Sequence, residues 1–305
     1  MTRATRLILR LMAMLFLLAT VASFAAASEP TASESIDLLE KAVSSIGSFD
    51  VEVKIERTVL PAEKTPKTFV TSYRQVFQDK KSRFELKESP EREHLNYTLV
   101  FDGETERILN SGQRASIRPR PERFVQQGED YLGSFRNYYG PETIVNLLRK
   151  REGNSVSRIS DENFGDLICI ESPVQKEGPY SSTALRIVLD PQYGNCVRKI
   201  EARINTSVGP ALRNRITNER FSKLPGGGWA PLESVYEAYG IKPDLAGFGK
   251  VVSTVKMTVD EQKSKWNEKI DDRQFELEFP KGTQVANVIL KTSYVSGGAD
   301  DPQAK

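Results

Sequence analysis

The spacing of apolar residues changes once within residues 31–60, and the change marks a helix followed by a strand. The first spacing is the three-and-four interval of a helix with one apolar side, formed by Ile36, Leu39, Val43 and Ile46. Thr31 and Glu34 fit a capping box at its start, and Gly47 fits its end. This segment therefore predicts an amphipathic helix that needs an apolar surface to cover its stripe.

After Gly47 the period becomes two, as in a strand with one buried face. The apolar positions are Phe49, Val51, Val53 and Ile55, and the polar positions between them are Asp50, Glu52, Lys54 and Glu56. A half-buried strand is typical of an antiparallel sheet, whose apolar face the preceding helix would cover. This segment alone leaves open a curved sheet wrapped over helices and a flat α+β fold.

Further strand patterns follow at the spacing of an antiparallel meander. The predicted strands are residues 68–77, 83–87, 97–101, 106–109, 155–160, 166–171, 184–189, 196–204, 213–223, 229–239 and 250–259. Helical spacing interrupts them at residues 129–150, where Ile144, Leu147 and Leu148 form an apolar stripe. About a dozen strands is more than a flat open sheet usually accommodates. We predict an α+β, mainly β fold: a curved antiparallel sheet, unclosed as a barrel, wrapped over an N-terminal helix and a mid-chain helical lid.

The first 27 residues have the pattern of a secretory signal. Arg3, Arg6 and Arg10 precede an apolar run over residues 11–24, which ends in small residues up to Ala27. The run is shorter than the ~20 residues that span a bilayer, which argues against a retained anchor. We expect cleavage near Ala27, a periplasmic or secreted location, one domain over residues 28–291 and a flexible tail over residues 292–305.

Charge and candidate chemistry point to a binding protein and not to an enzyme. Removal of three arginines with the signal changes the formal net charge from +2 to −1, which argues against a nucleic-acid partner. His94 is the single histidine, so a histidine metal site or a Ser-His triad lacks partners. Adjacent carboxylates diverge in an extended chain or a turn, so we interpret them as solvated turn residues: Asp271 and Asp272, and Asp300 and Asp301. We expect no cofactor and no metal.

The segment 266–285 resembles the closing motif of the outer-membrane lipoprotein carrier superfamily, the LolA, LolB and RseB-like proteins. It includes Trp266, the run Phe275-Glu276-Leu277-Glu278-Phe279-Pro280, and Gly282. Three other features agree in order with that family: the opening helix and Phe49 strand, Arg83-Phe84 followed by Val100-Phe101-Asp102-Gly103, and the helical interruption. The resemblance implies an unclosed antiparallel barrel whose apolar concave face binds acyl chains beneath a helical lid.

On this resemblance, the ligand-binding residues belong to the concave face and the lid. They are Phe49, Val51, Val53, Ile55, Phe69, Phe84, Leu99, Phe101, Ile144, Leu147 and Leu148. The last three are expected to form the underside of the lid over the aromatic and aliphatic residues of the face. The family also implies a basic latch beside a proline; here Lys80 is the nearest counterpart and the proline is absent, which would weaken the latch.

Basic residues stand at both ends of the predicted lid. They are Arg114, Arg118, Arg120 and Arg123 before it, and Arg149, Lys150 and Arg151 after it. These residues fit either a solvated loop with an ordinary helix C-terminus, or a rim that meets anionic headgroups or an acidic partner.

Two functions therefore remain open. One is a monomeric carrier of a lipid or lipoprotein acyl chain, with a membrane-surface or membrane-protein partner. The other is an RseB-like sensor or scaffold that binds a protein.

Cys169 and Cys196 fall on predicted strands with the strand 184–189 between them. Two inter-strand spacings amount to about 9.6 Å, beyond the ~7 Å between Cα atoms that a disulfide spans. We predict two free thiols.

Overall fold

The computed structural model describes residues 30–60, 65–88, 90–119, 138–139, 142–174 and 183–301. The predicted signal peptide, Arg120, Arg123, and residues 129–137 and 140–141 of the predicted helical segment 129–150 lie outside these ranges. Tyr138–Tyr139, predicted as helical, form a short strand. Within them, no helix is long and apolar enough to cross a membrane.

Two helices lie within the described residues, α1 (Ala32–Ser44) and α2 (Ile144–Lys150). The predicted capping box is present at the start of α1: Glu34 N–H donates to Thr31 Oγ1 at 3.2 Å, and Thr31 N–H donates to Glu34 Oε2 at 2.8 Å. Thr143 caps α2 in the simpler way, accepting from Asn146 N–H. Both helices thus begin where a side-chain oxygen satisfies a backbone N–H that has no partner within the helix.

More than half of the described residues lie in strands. They are β1 (Ser48–Val59), β2 (Lys67–Gln78), β3 (Lys81–Lys87), β4 (Tyr97–Phe101), β5 (Thr105–Asn110), β6 (Arg114–Pro119), β7 (Tyr138–Tyr139), β8 (Glu142–Thr143), β9 (Ser155–Asp161), β10 (Gly165–Ser172), β11 (Thr183–Asp190), β12 (Cys196–Thr206), β13 (Gly209–Lys223), β14 (Trp229–Tyr239), β15 (Val251–Val259), β16 (Lys265–Trp266), β17 (Gln284–Asn287) and β18 (Thr292–Val295). Short 3₁₀ turns lie at Pro90–Leu95, Pro191–Tyr193 and Asp272–Phe275.

All strands except β7 and β8 belong to one sheet, in the order β18-β17-β6-β5-β4-β3-β2-β1-β15-β14-β13-β12-β11-β10-β9, with β16 also paired to β1. Every pair is antiparallel except β17 with β6, which is parallel. The end strands β18 and β9 do not pair, so the sheet is not closed into a barrel. The predicted fold class, mainly β with an unclosed sheet, is confirmed.

The centre of the sheet is β1, and its two faces differ as the alternation predicts. Val53 lies opposite Tyr73 of β2 and Val259 of β15, and all three are buried. We call the face of the sheet that carries these residues the helix face, because α1 and α2 pack against the same face at strands β10 to β12. The outer face carries the polar positions of β1, such as Lys54.

Two apolar clusters lie on the helix face. The central cluster contains Ile46, Phe49, Val51, Val53, Ile55, Tyr73, Phe77, Phe84, Leu224, Ala230, Leu232, Val255, Met257 and Val259. The helix cluster contains Ile36, Leu39, Ile144, Val145, Leu147, Leu148, Ile168, Ile170, Leu185, Ile187, Leu189, Val197, Ile200 and Ala202. The helices therefore cover the β10–β12 part of the sheet and leave the β1–β4 part to other contacts.

The C-terminal segment crosses the outer face of the β2–β6 part of the sheet. It begins at Asn267, whose Nδ2 donates to Ser45 O at 2.9 Å, and which accepts from Gly47 N–H at 2.8 Å. Its apolar side chains then pack with those of the sheet in an outer cluster of Val76, Val100, Ala115, Ile117, Phe275, Leu277, Phe279, Val285 and Tyr294. Since β18 pairs with β17 beyond Lys291, ordered structure continues into the region predicted as a flexible tail.

Both cysteines are free and buried, and β11 separates their strands. Burial raises the pKa of the Cys196 thiol to about 12, and it raises that of Cys169 as well. Both groups are therefore protonated near neutral pH, and the thiolate is the reactive form.

We expect neither thiol of the native protein to react with a disulfide reagent within minutes at pH 8, and both to react in denaturant. A thiol titration with and without urea measures this. Rapid labelling of Cys196 in the folded protein would contradict the buried placement.

Val53→Asp should destabilise the fold by about 2 kcal/mol or more, because it places an unpaired carboxylate in the central cluster. The matched substitution Lys54→Asp lies on the outer face, where the Lys54 side chain is 57% exposed, and should cost less than about 1 kcal/mol. Urea unfolding measures both. Equal losses would mean that the two faces of β1 are assigned wrongly.

Candidate functional site

A pocket of about 220 Å³ opens on the helix face beside the central cluster. It lies over β1 to β4 and beside the 3₁₀ turn Pro90–Leu95. Its lining residues are Ile55, Arg57, Val59, Phe69, Thr71, Phe84, Leu86, Glu88, Arg92 and Tyr97.

The floor of the pocket is apolar because neighbouring strands present residues of the same face side by side. Phe84 of β3 stacks on Tyr73 at 4.7 Å and on Tyr97 of β4 at 5.7 Å between ring centroids. Ile55 is buried beside them, and Phe69 on the wall is 38% exposed. The floor is thus continuous with the core, while the wall offers apolar surface to an occupant.

The mouth of the pocket is charged. Arg92 lies over the Phe69 ring at 5.3 Å, and its Nη2 lies 3.4 Å from Glu88 Oε1. Arg57 adds a second guanidinium to the lining. The arrangement can hold an apolar segment on the floor and a polar group at the mouth.

Hydrogen bonds hold the turn that carries the mouth. Asn96 Oδ1 accepts from Glu88 N–H at 2.6 Å, and Asn96 O accepts from Ser111 N–H at 3.0 Å. Ser111 Oγ also donates to His94 O at 2.8 Å. The loop after β3 is therefore tied to the turn between β5 and β6, which fixes Glu88 and Arg92 relative to the floor.

No protein-family model and no curated protein matches the sequence. Solved structures do resemble this one. A DUF1329 family protein from Desulfovibrio piger superposes with a TM-score of 0.51 at 10% identity, over 79% of this chain and 95% of that one. A LolA superfamily protein from Nitrosomonas europaea superposes with a TM-score of 0.50 at 13% identity, over 80% of this chain and 97% of that one.

The fold is LolA-like. Identities of 10% and 13% show the fold alone. The chemistry of the site must therefore be argued from this chain's own residues.

The LolA-like sheet separates the predicted ligand residues into three groups. Ile55, Phe69 and Phe84 line the pocket. The others on the sheet are core residues or neighbours of the core: Phe49, Val51, Val53 and Phe101 are buried, and Leu99 is partly buried against the central cluster. The third group is on α2.

The expectation that α2 covers the Phe49 to Phe101 surface as a lid is wrong. Ile144, Leu147 and Leu148 are buried in the helix cluster, against α1 and strands β10 to β12. The reason is that α1 already supplies an apolar stripe at that end of the sheet, so α2 has a helix and a sheet to pack against. The stripe was identified correctly, but its partner was not.

The predicted basic rim is also divided. Arg149 pairs with Asp37 and Glu40 of α1 at 2.9 and 2.7 Å, and Arg151 is buried and donates to Thr183 O. Arg151 therefore contradicts an exposed rim. Lys150 follows Arg149 at the exposed end of α2, and Arg120 and Arg123 lie outside the described residues.

Arg114 and Arg118, for which the sequence left a solvated loop and a basic rim open, lie on β6 because the apolar residues Ala115 and Ile117 between them pack in the outer cluster. Arg118 Nε lies 2.8 Å from Glu106 Oε1. Burial raises the pKa of the Glu106 carboxyl, against the opposing effect of Arg118.

The cations beside the predicted latch residue Lys80 contact the C-terminal segment and not the helices. Lys80 is exposed in the turn between β2 and β3. Instead, its neighbour Lys81 pairs with Asp272 at 2.7 Å, and Arg83 donates to Gln274 O and Glu276 O. These cations hold the C-terminal segment on the outer face. These contacts therefore do not form the latch to the helices that the resemblance implied.

The other candidate polar residues have structural surroundings. Asp271 caps the 3₁₀ turn Asp272–Phe275 and pairs with Arg273 at 2.9 Å, while His94 is exposed. Asp301, interpreted from the sequence as a solvated turn residue, is instead buried and accepts from Gly297 N–H at 2.7 Å, while Asp300 is exposed.

Sequence reasoning missed seven lining residues of the pocket. Val59, Thr71, Leu86, Tyr97 and Arg57 continue the two-residue period of their strands, so the alternation could have placed them on the helix face. Glu88 and Arg92 follow β3 in a loop and a 3₁₀ turn, where no periodic signal exists.

Leu148→Glu should destabilise the whole fold by about 3 kcal/mol or more, because Leu148 is fully buried in the helix cluster. The control Asn146→Glu lies on the exposed side of α2 and should be nearly neutral. Thermal unfolding of both variants measures this. If Leu148→Glu keeps its stability and gains binding of an apolar probe, α2 is a movable lid after all.

Proposed function

We propose that this chain is an exported binding protein that holds one acyl chain, of a lipid or a lipoprotein, in the pocket over β1 to β4. The observation that carries the proposal is the open pocket itself, whose apolar floor joins the core while its wall remains accessible. The LolA-like fold supports a binding role at the level of the fold alone.

The size of the pocket favours one chain over two. Ligand sites usually measure about 300–1,000 Å³, and a dry apolar cavity of about 150 Å³ holds a benzene-sized molecule. A pocket of about 220 Å³ therefore takes the end segment of a single chain. Each buried CH₂ contributes about 0.8 kcal/mol, so a short segment gives binding that can be reversed during transfer.

The charges at the mouth favour an amphiphile over a plain hydrocarbon. Arg57 and Arg92 can donate to phosphate, carboxylate or carbonyl oxygens of a head group. The polar end of the ligand then remains at the opening, and the chain enters toward Phe84 and Ile55.

The N-terminal pattern supports export, with function in the periplasm or outside the cell. We propose that the protein acts as a monomer that exchanges its ligand with a membrane surface or a membrane-protein partner. It is proposed as a carrier and not as an enzyme.

Thr71→Trp should reduce binding of an uncharged fluorescent probe, N-phenyl-1-naphthylamine, by about tenfold or more, because the indole fills the pocket. Ser72→Trp is the matched control, since Ser72 is exposed and points to the outer face. Probe titration measures affinity, and circular dichroism verifies the sheet.

The native ligand is identified by mass spectrometry. Lipid is extracted from protein that has been isolated from the compartment where it functions. Co-purification of an acylated species with wild type and its loss with Thr71→Trp is the expected result. If wild type binds no probe and carries no acylated molecule, the pocket is not a ligand site.

A further inference from the structure

Glu88 lines the pocket, and one of its carboxylate oxygens is buried without a hydrogen-bond partner in the described part of the chain. Its side chain is only 6% exposed. Oε1 faces Arg92, but among the residues that the structure describes no donor reaches Oε2. Buried acceptors in folded proteins are almost always hydrogen-bonded, so this unpaired oxygen needs an explanation.

The contacts around Glu88 hold its unpaired carboxylate in place. The backbone N–H of Glu88 is fixed by Asn96, and Arg92 is held between Glu88 and the Phe69 ring. These contacts therefore hold the Glu88 carboxylate in a fixed position next to Arg92. An apolar residue at this position would line the mouth without the cost of burying an unpaired acceptor.

We propose that the pocket selects an acyl chain whose head group donates a hydrogen bond, from an N–H or O–H group, to Glu88 Oε2. The proposal rests on the proposed function, because it names the ligand class of the same site. A neighbouring carbonyl of the head group accepts from Arg57 or Arg92. The site therefore recognises a head group that has both a hydrogen-bond donor and an acceptor.

The same geometry selects against two other head groups. An ester has acceptors alone and leaves Oε2 unpaired, and a site that leaves its own polar group unpaired discriminates strongly. A free carboxylate is attracted by the two arginines but repelled by Glu88. Amides and alcohols fit both requirements, and they correspond to acylated proteins and to acylglycerols respectively.

The test compares probes with one ten-carbon chain by displacement of N-phenyl-1-naphthylamine from the full chain. Decanamide carries N–H donors, monodecanoylglycerol carries O–H donors, and methyl decanoate carries neither. Wild type should bind the better of the two donor probes at least about tenfold more tightly than methyl decanoate. Preference for decanamide assigns the site to acylated proteins, and preference for monodecanoylglycerol assigns it to lipids.

Glu88→Met should reverse this order, because a donor that enters an apolar mouth loses its hydration without a partner. Glu88→Gln keeps the shape and a neutral acceptor, and should give an intermediate ratio if Glu88→Met folds poorly. Glu93→Met is the matched control, since Glu93 is exposed on the 3₁₀ turn that follows Glu88 and does not line the pocket. Its ratio should equal that of wild type.

The outcomes separate the two proposals. If donor and ester probes bind wild type equally and Glu88→Met changes neither, Glu88 does not select the head group, while the pocket remains a ligand site. If no probe binds wild type, the proposed function itself fails.

Discussion

The antiparallel pairing of β1 with β2 on one side and β15 on the other is the interaction on which the rest of the structure depends. It joins a strand near the start of the chain to one more than 190 residues later, so it brings the two halves of the sheet together. Because side chains alternate along β1, this register also decides that Val53 faces the core and Lys54 faces solvent.

A large sheet has two faces to cover, and this chain covers each face in part. Helices α1 and α2 cover the helix face at β10 to β12, and the C-terminal segment covers the outer face at β2 to β6. Neither the helices nor the C-terminal segment covers the part of the helix face over β1 to β4 where the pocket lies. The pocket lies where this coverage stops, which is why its floor is core and its wall is exposed.

In the proposed function, the floor and the charged residues of the pocket supply different parts of recognition. The apolar floor supplies non-directional burial, which scales with area and distinguishes chains weakly. The mouth, formed by Arg57, Glu88 and Arg92, supplies directional hydrogen bonds in a partly dry setting, where an unmatched group is costly. On that proposal, specificity for a head group resides in three side chains, and affinity comes from the sheet.

The sequence by itself determined the elements and most of their faces. The capping box at Thr31, the strand 97–101 and the separation of Cys169 from Cys196 were readable because they depend on local spacing and on strand order. β6 was missed because Pro119 and the arginines around it outweighed a short apolar alternation. The two short C-terminal strands, β17 and β18, have too few residues for a periodic signal.

Only the tertiary structure decided which apolar surfaces meet. An apolar stripe such as Ile144, Leu147 and Leu148 shows that one side of a helix is buried, but any apolar surface can cover it. In the folded protein, α2 packs against α1 and strands β10 to β12 and not against the central cluster. Likewise, Glu88 and Arg92 reach the pocket through a turn whose direction is set by bonds to Asn96 and Ser111. Periodicity records which side of an element is buried, and it contains no information about the partner across the gap.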